Sequence, residues 1–163
     1  MPLFRTAISL ILILLISACT TPTVPKNAET TVIAVRHADR DGEYLNSKGK
    51  ARANALPEAV AEYQIDAIYA PDIARNIETA KPLSEALDLP ITLIPKENTG
   101  AQMTRDYPDG TVIWIGNKDN LRSLWTELNA PGPAPQEYGE LFVVNMRGNE
   151  PPTVTRLFLP ATR

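Results

Sequence analysis

Short runs of β-branched and other apolar residues recur along the chain, bounded by polar residues and turn formers. Runs of this length and composition predict buried strands. In chain order the first four are Thr31–Val35, Asp66–Tyr69, Ile91–Ile94 and Thr111–Ile115. Two further runs, Glu140–Met146 and Thr153–Leu159, flank Arg147-Gly148-Asn149 and predict a C-terminal hairpin.

Between the first two runs the apolar spacing becomes helical. Asn46-Ser47 offers a helix cap ahead of Lys48–Tyr63, in which several Ala, Leu and Val side chains share one face. Pro57 lies inside this segment, and we expect it to kink or split the helix because proline lacks the N–H that helix geometry needs.

Two more helices are predicted further along the chain. Asp72 can cap the first of them, with a break expected near Pro82, and the second covers about Asn120–Leu128. Alternation of strands and helices predicts a mostly parallel sheet with helices on both faces, which is a three-layer α/β domain ending in a hairpin.

The first residues have the pattern of a secretory signal peptide and are not expected to belong to the folded domain. Met1–Ala18 carries one cation, Arg5, before an apolar stretch that is too short to span a bilayer, as in a secretory signal peptide. The following Cys19 resembles the lipidated cysteine of bacterial lipoproteins, although it could also stay unmodified. We therefore predict a signal peptide over 1–18, a linker over 19–30 and a single domain over 31–163. The product would be lipid-anchored and face the periplasm, on the outer membrane.

Composition excludes several classes of function. A net charge of −3 does not suit a broad nucleic-acid surface, which needs clustered Lys and Arg. One His and one Cys without paired-ligand spacing predict no metal site. Neither the G-x-x-x-x-G-K-[S/T] phosphate loop nor the dinucleotide fingerprint is present, so no cofactor is expected. Nothing in the sequence predicts the oligomeric state.

Polar side chains follow three of the predicted strands at their carboxyl ends, where ligands collect in open α/β sheets. They lie in Arg36–Asp39, in the segment holding Asp72 and Arg75, and in Gly116–Asn120. Guanidinium groups pair bidentately with phosphate oxygens, and a neutral imidazole can attack phosphorus. The set predicts a phosphate site.

Four sequence segments, in order, resemble the histidine phosphatase (phosphoglycerate-mutase-like) superfamily. RHADR at 36–40 is similar to its RHG-type motif, with Ala38 in place of Gly, and LNSKGKARANAL at 45–56 resembles its Leu-Thr-x-x-Gly-x-x-Arg-Ala stretch. YAPDIARNIETAKPL at 69–83 resembles its Arg-x-x-x-Thr-Ala segment, and EYGELFVVNM resembles the closing strands of short bacterial members. The resemblance extends over nearly all of residues 30–160.

The resemblance implies roles for individual residues. His37 would be the nucleophile that accepts the phosphoryl group, and Arg36 and Arg75 would bind the phosphoryl oxygens. Asp39 is a candidate proton donor to the leaving group, and Glu97 a second one.

Each of these residues also has an ordinary structural interpretation. His37 could be a buried histidine without a catalytic role, and Arg75 could pair with a neighbouring carboxylate on its own helix. Asp39 could belong to a solvated charge run, and Asn117 could serve only as a helix cap.

One departure from the family pattern affects the chemistry. The family's fourth strand ends in Gly-His, and the second His donates to the phosphoryl group, whereas this chain has Gly116-Asn117. Asn117 can still donate a neutral hydrogen bond to phosphate, and Lys118 could restore the charge if it turned inward. Pro71 also replaces the usual Ser before the Arg75 helix.

The sequence thus predicts a metal-independent phosphomonoesterase of the cell envelope that acts through a phosphohistidine. Its substrate would be a phosphorylated small molecule or saccharide, and its only membrane contact the lipid anchor. A phospho-ligand-binding pseudoenzyme that lacks the second His is the alternative, and a structural envelope lipoprotein is a third possibility.

Overall fold

The computed structural model describes residues 28–159, which form one central sheet with helices against both faces. The sheet has six strands in the order β5-β4-β6-β1-β7-β8. Neighbours among β5, β4, β6 and β1 run parallel, whereas β7 and β8 are antiparallel. Their bounds are β1 Glu29–Arg36, β4 Ala67–Ala70, β5 Ile91–Leu93, β6 Thr111–Gly116, β7 Glu140–Arg147 and β8 Thr153–Phe158. The predicted α/β architecture and C-terminal hairpin are confirmed.

A second sheet and five helices complete the described part of the chain. The small sheet is a hairpin of β2 Arg40–Asp41 and β3 Tyr44–Leu45. The helices are α1 Ser47–Asn54, α2 Leu56–Ala59, α3 Ala74–Leu87, α4 Thr99–Asp106 and α5 Lys118–Glu127. No helix within residues 28–159 combines the length and the apolar character needed to cross a membrane.

Alternate residues of the central strands face the two helical layers. On one face, Val32 and Trp114 pack with Leu121 and Leu124 of α5. The opposite face belongs to a separate cluster in which strand residues such as Ile113 pack with side chains of α2 and α3. The near-continuous apolar strands of the sequence follow from this burial on both sides.

Two local expectations about proline are resolved differently. The helix predicted over Lys48–Tyr63 is split, with Pro57 in the first turn of α2, where its missing N–H costs little. The break expected near Pro82 is wrong, because α3 continues through it to Leu87. Ala80 and Leu83 of that helix are fully buried. Burying such side chains offsets the cost of about 3 kcal/mol for an interior proline.

A helix cap, a strand boundary and one whole helix also differ from prediction. Asp72 does not cap α3, because it lies in a bend and Ile73, with extended backbone, occupies the cap position. β1 includes Glu29 and Thr30, which the sequence placed in the linker. Helix α4 was not predicted, because it has small and polar residues in place of a wide apolar stripe. Gly100 of α4 approaches α5 closely and donates its N–H to Glu127 Oε2 at 2.8 Å.

Candidate active site

The carboxyl ends of β4, β6 and β1 lie side by side in the sheet and gather the predicted site residues. β1 pairs with β6 in parallel, so that Arg36 lies opposite Gly116. The hydrogen bonding between the two chain segments continues one residue beyond β1, where the N–H of His37 donates to the Gly116 carbonyl oxygen at 2.9 Å. This pairing sets His37 beside the start of α5.

His37 is held by a contact at each ring nitrogen. Its Nδ1 lies 2.9 Å from the Ala38 carbonyl oxygen, which can only accept, so Nδ1 carries the proton. The Nε2 atom then carries the in-plane lone pair of the ring, which accepts a hydrogen bond from Arg75 Nε at 3.2 Å. The residue is only 3% exposed. The reactive nitrogen of the ring is thereby fixed as Nε2.

The surroundings keep the His37 imidazole neutral. Burial disfavours the charged ring, and the positive charges of Arg75 and Arg36 disfavour it further. Together they outweigh the hydrogen bond to the Ala38 carbonyl oxygen, which favours protonation, and lower the pKa of His37 to about 4. At neutral pH the side chain is therefore a base with an available electron pair. A nucleophilic imidazole requires this state.

Arg36 is fixed from the opposite side of the pocket by the loop before β7. Its guanidinium stacks on Tyr138 with 3.8 Å to the ring centroid, and its Nη1 donates to the Gln136 carbonyl oxygen at 2.8 Å. Its Nε is buried without a hydrogen-bond partner among the described residues. Burial lowers the pKa of Arg36 from its very high ordinary value, and the group stays cationic. A buried, unpaired donor is suited to receive an anion.

Arg75 and Thr79 lie one helical turn apart on the same face of α3, and both contact the segment that carries His37. The Thr79 hydroxyl donates to the Arg75 carbonyl oxygen at 2.7 Å and accepts the Ala38 N–H at 3.0 Å. One turn of helix therefore presents a guanidinium to the His37 ring and a hydroxyl to the backbone beside it. Arg75 also lies 3.6 Å from the carboxylate of Glu43, and not against Glu78 or Asp72.

Asp39, a candidate proton donor from the sequence, forms ion pairs with two basic side chains. Arg52 Nε donates to its Oδ2 at 2.8 Å, and Lys48 Nζ lies 3.5 Å from its Oδ1. Burial pushes the pKa of Asp39 upward, but the hydrogen bond and charge of Arg52 outweigh it and hold this pKa below its ordinary value. A carboxylate kept ionised in this way is poorly suited to donate a proton, so the contacts favour a structural role over the predicted proton donor.

Helix α1 and the C-terminal loop support the turn around His37 through Arg52 and Gly49. Arg52 is 4% exposed, and its Nη1 donates to the Leu159 carbonyl oxygen at 2.5 Å. Gly49 lies so close to the turn that an added Cβ would be 1.8 Å from the Asp39 carbonyl oxygen. The family-like glycine and arginine of this segment therefore position the turn that carries His37.

Asn117 is the N-cap residue of α5, beside the turn of His37, and forms a capping box with Asn120. Its backbone N–H donates to Asn120 Oδ1 at 2.7 Å, and its own Oδ1 is buried at the start of the helix. Lys118 does not take up the charge of the family's second His, because its Nζ pairs with Glu137 Oε1 at 3.6 Å. The start of α5 beside His37 thus carries a neutral amide at the position where the resemblance implies an imidazole.

Sequence reasoning missed two neighbours of the arginines, Glu43 and Tyr138. Glu43 lies in a run of charges that also suits a solvated hairpin, and Tyr138 follows a proline-rich loop far along the chain. Glu97, the second predicted acid, is mostly exposed and pairs with Lys96 at 3.9 Å. Among residues 28–159 there is no cluster of three His, Cys, Asp or Glu side chains that could hold a metal ion.

Comparison with known proteins agrees with this geometry. A family model for the histidine phosphatase superfamily (branch 1) matches residues 26–96, the part that carries Arg36, His37 and Arg75. The resemblance to this superfamily predicted from the sequence is confirmed. A search of curated proteins gave no match.

Several solved structures share the fold at low sequence identity. The protein histidine phosphatase SixA, complexed with tungstate, is 16% identical, with a TM-score of 0.63 over 78% of this chain and 96% of that chain. A mycobacterial glucosyl-3-phosphoglycerate phosphatase with inorganic phosphate is 14% identical, with a TM-score of 0.57 over 80% and 97%. A phosphoglycerate mutase from Bacillus anthracis is 12% identical, with a TM-score of 0.60 over 82% and 93%.

Proposed function

We propose that this protein is a phosphomonoesterase that acts through a phosphohistidine at His37. The chain has the histidine phosphatase fold and matches the model of that superfamily over residues 26–96. The observation that carries the proposal is the neutral His37 ring, with Nδ1 fixed on the Ala38 carbonyl and Nε2 facing the Arg75 guanidinium. Two of the similar structures hold tungstate or inorganic phosphate, which supports a phosphoryl ligand for this pocket.

The geometry indicates how the reaction would proceed. A phosphoryl group between Arg36 and Arg75 would place its phosphorus next to His37 Nε2. Nε2 attacks, the N–P bond forms and the ester P–O bond breaks as the leaving oxygen takes up a proton. Water then attacks the phosphohistidine and releases inorganic phosphate. The two guanidinium groups stabilise the negative charge of the equatorial oxygens throughout.

The amide at position 117 predicts a slow enzyme. Loss of one preorganised donor typically costs about 10²–10³ in rate. Asn117 retains a neutral donor but lacks the positive charge of an imidazolium, so we expect part of this loss. An alternative function follows from the same observation: the pocket could bind a phosphorylated ligand with negligible turnover.

A paired assay tests the proposal and the alternative together. We would purify the full chain in detergent and measure hydrolysis of 4-nitrophenyl phosphate by the native protein, by His37→Ala and by Asn117→His. We expect native activity well above that of His37→Ala, and a further rise in Asn117→His. Native activity equal to that of His37→Ala would contradict the enzyme. If Asn117→His then gained activity by orders of magnitude, the pseudoenzyme would be supported.

We further propose that the protein works in the cell envelope, anchored through lipid on Cys19 and facing the periplasm from the outer membrane. The apolar stretch ending at Cys19 supports this location, and it lies outside the described residues. The substrate would then be a phosphorylated small molecule or saccharide of the envelope.

A further inference from the structure

Glu43 places a carboxylate at the mouth of the phosphate pocket. It follows Gly42 in the turn between β2 and β3, where Gly42 adopts a φ of 61°. Its Oε2 lies 3.6 Å from Arg75 Nη1, and Arg75 Nε lies 3.2 Å from His37 Nε2. Carboxylate, guanidinium and nucleophilic nitrogen therefore follow one another across the opening of the pocket.

The turn that carries Glu43 is fixed at its base. The N–H of Leu45 donates to the Glu78 carboxylate of α3 at 2.7 Å, and the N–H of Asn46 donates to the Asp39 carbonyl oxygen at 3.1 Å. The Glu43 side chain itself is 74% exposed. Its position is therefore set by the same helix that sets Arg75, while its oxygens remain open to solvent and to a substrate.

Three other acidic side chains near the pocket are each engaged by a donor. Asp39 is held by Arg52 and a lysine, Glu78 by a backbone N–H and Glu137 by a lysine at the start of α5. Within residues 28–159, the ion pair of Glu43 is with the Arg75 guanidinium, which the substrate's phosphoryl group would itself bind.

We infer that Glu43 is the proton donor to the leaving group, an assignment that rests on the proposed phosphatase function. As His37 Nε2 bonds to phosphorus and the ester P–O bond breaks, the protonated Glu43 gives its proton to the leaving oxygen, which departs as an alcohol. In the second half, the carboxylate takes a proton from the attacking water while the N–P bond breaks. Phosphate leaves, and neutral His37 and protonated Glu43 are restored.

Substrate binding would change the partner of Glu43. A phosphoryl dianion that reaches Arg75 replaces the Glu43 carboxylate as the counter-ion of the guanidinium. The carboxyl group is then released from its ion pair at the mouth of the pocket, where it is open to solvent and to the leaving group.

The leaving group provides the test, because a poor leaving group needs the proton and an acidic phenol needs it far less. We would measure kcat for ethyl phosphate and for 4-nitrophenyl phosphate with native protein, Glu43→Gln and Asp41→Asn. Asp41 is the matched control, an exposed carboxylate on the same hairpin. Glu43→Gln should lose about 10² or more in kcat on ethyl phosphate. Its loss on the aryl ester should be at least tenfold smaller, and Asp41→Asn should behave as native.

Two other results would overturn the assignment in distinguishable ways. If Glu43 serves only as a counter-ion of Arg75, Glu43→Gln will change both substrates by the same factor and lower KM for both. A native protein no more active than His37→Ala on either ester would instead refute the phosphatase function itself.

Discussion

At the scale of single residues, the environment of His37 decides both its reactive atom and its charge. The Ala38 carbonyl holds the Nδ1 proton, and burial together with two arginines disfavours a second proton. The type of residue alone predicts neither property, because an exposed histidine would be partly protonated near neutral pH. The strand pairing that buries the ring therefore also keeps it neutral, as the proposed nucleophilic role requires.

His37 is the chain's only histidine, so its titration can be observed without assignment. We predict that proton NMR of the ring hydrogens of the untagged protein will give a pKa of about 4, below the ordinary 6.5. A measured pKa at or above 6.5 would contradict the buried, arginine-flanked ring. The His37→Asn variant supplies the blank spectrum.

The free energy of unfolding should depend on pH through the protonation of His37. Because folding lowers the pKa of His37 from 6.5 to about 4, the unfolded chain binds more protons within that interval. The free energy of unfolding should therefore fall as pH decreases from about 6.5 to about 4. Urea titrations should show a smaller decrease over that interval in His37→Asn.

At the scale of elements, the active site depends on how closely α1 and α3 approach the turn after β1. Thr79 of α3 holds the turn from one side, and Gly49 of α1 leaves room for it on the other. The α1 segment contributes no group to the phosphate pocket, yet its glycine and Arg52 fix the backbone that carries His37.

We predict that Gly49→Ala will displace the turn, because the new Cβ would lie 1.8 Å from the Asp39 carbonyl oxygen. Overpacking of this kind typically costs about 1–3 kcal/mol. Thermal unfolding should show a lower Tm, and kcat should fall at least tenfold. Lys50→Ala, at an exposed position of the same helix, is the control and should leave both unchanged. Native-like behaviour of Gly49→Ala would refute the close approach.

The elements also show what the sequence could and could not predict. Strand ends carrying Arg36-His37 and Gly116-Asn117 could be placed together, because parallel strands align their carboxyl ends. The contact of Tyr138 with Arg36 could not, because it depends on a proline-rich loop returning from a distant part of the chain. The resemblance implied a proton-donor role for Asp39, and only the structure reveals its ion pair with Arg52.

At the scale of the whole molecule, the three-layer fold places the site at one edge of the sheet, and the remaining question is where the molecule resides. The sequence up to Cys19 resembles a lipoprotein signal. Acyl chains on that cysteine would hold the domain at a membrane by about 0.8 kcal/mol per buried methylene.

We predict that a bacterial host supplied with labelled palmitate will label the native chain and will leave Cys19→Ser unlabelled. The native protein should fractionate with outer membranes, and Cys19→Ser should not be anchored there. An unlabelled native chain in the soluble fraction would contradict the proposed anchor. It would leave the proposed chemistry at His37 untouched, because that chemistry depends on Arg36, His37 and Arg75.

The central claim, that His37 carries the phosphoryl group during turnover, can be tested by trapping. Native protein would be mixed with 4-nitrophenyl phosphate labelled in the phosphoryl group, quenched in alkali within a single turnover and analysed by peptide mass spectrometry. Phosphohistidine survives alkali and is lost in acid, so the chemistry of the label identifies its bond. We predict an acid-labile phosphoryl group on His37 and none in His37→Asn. Turnover without label on His37, with activity retained in His37→Asn, would contradict the account.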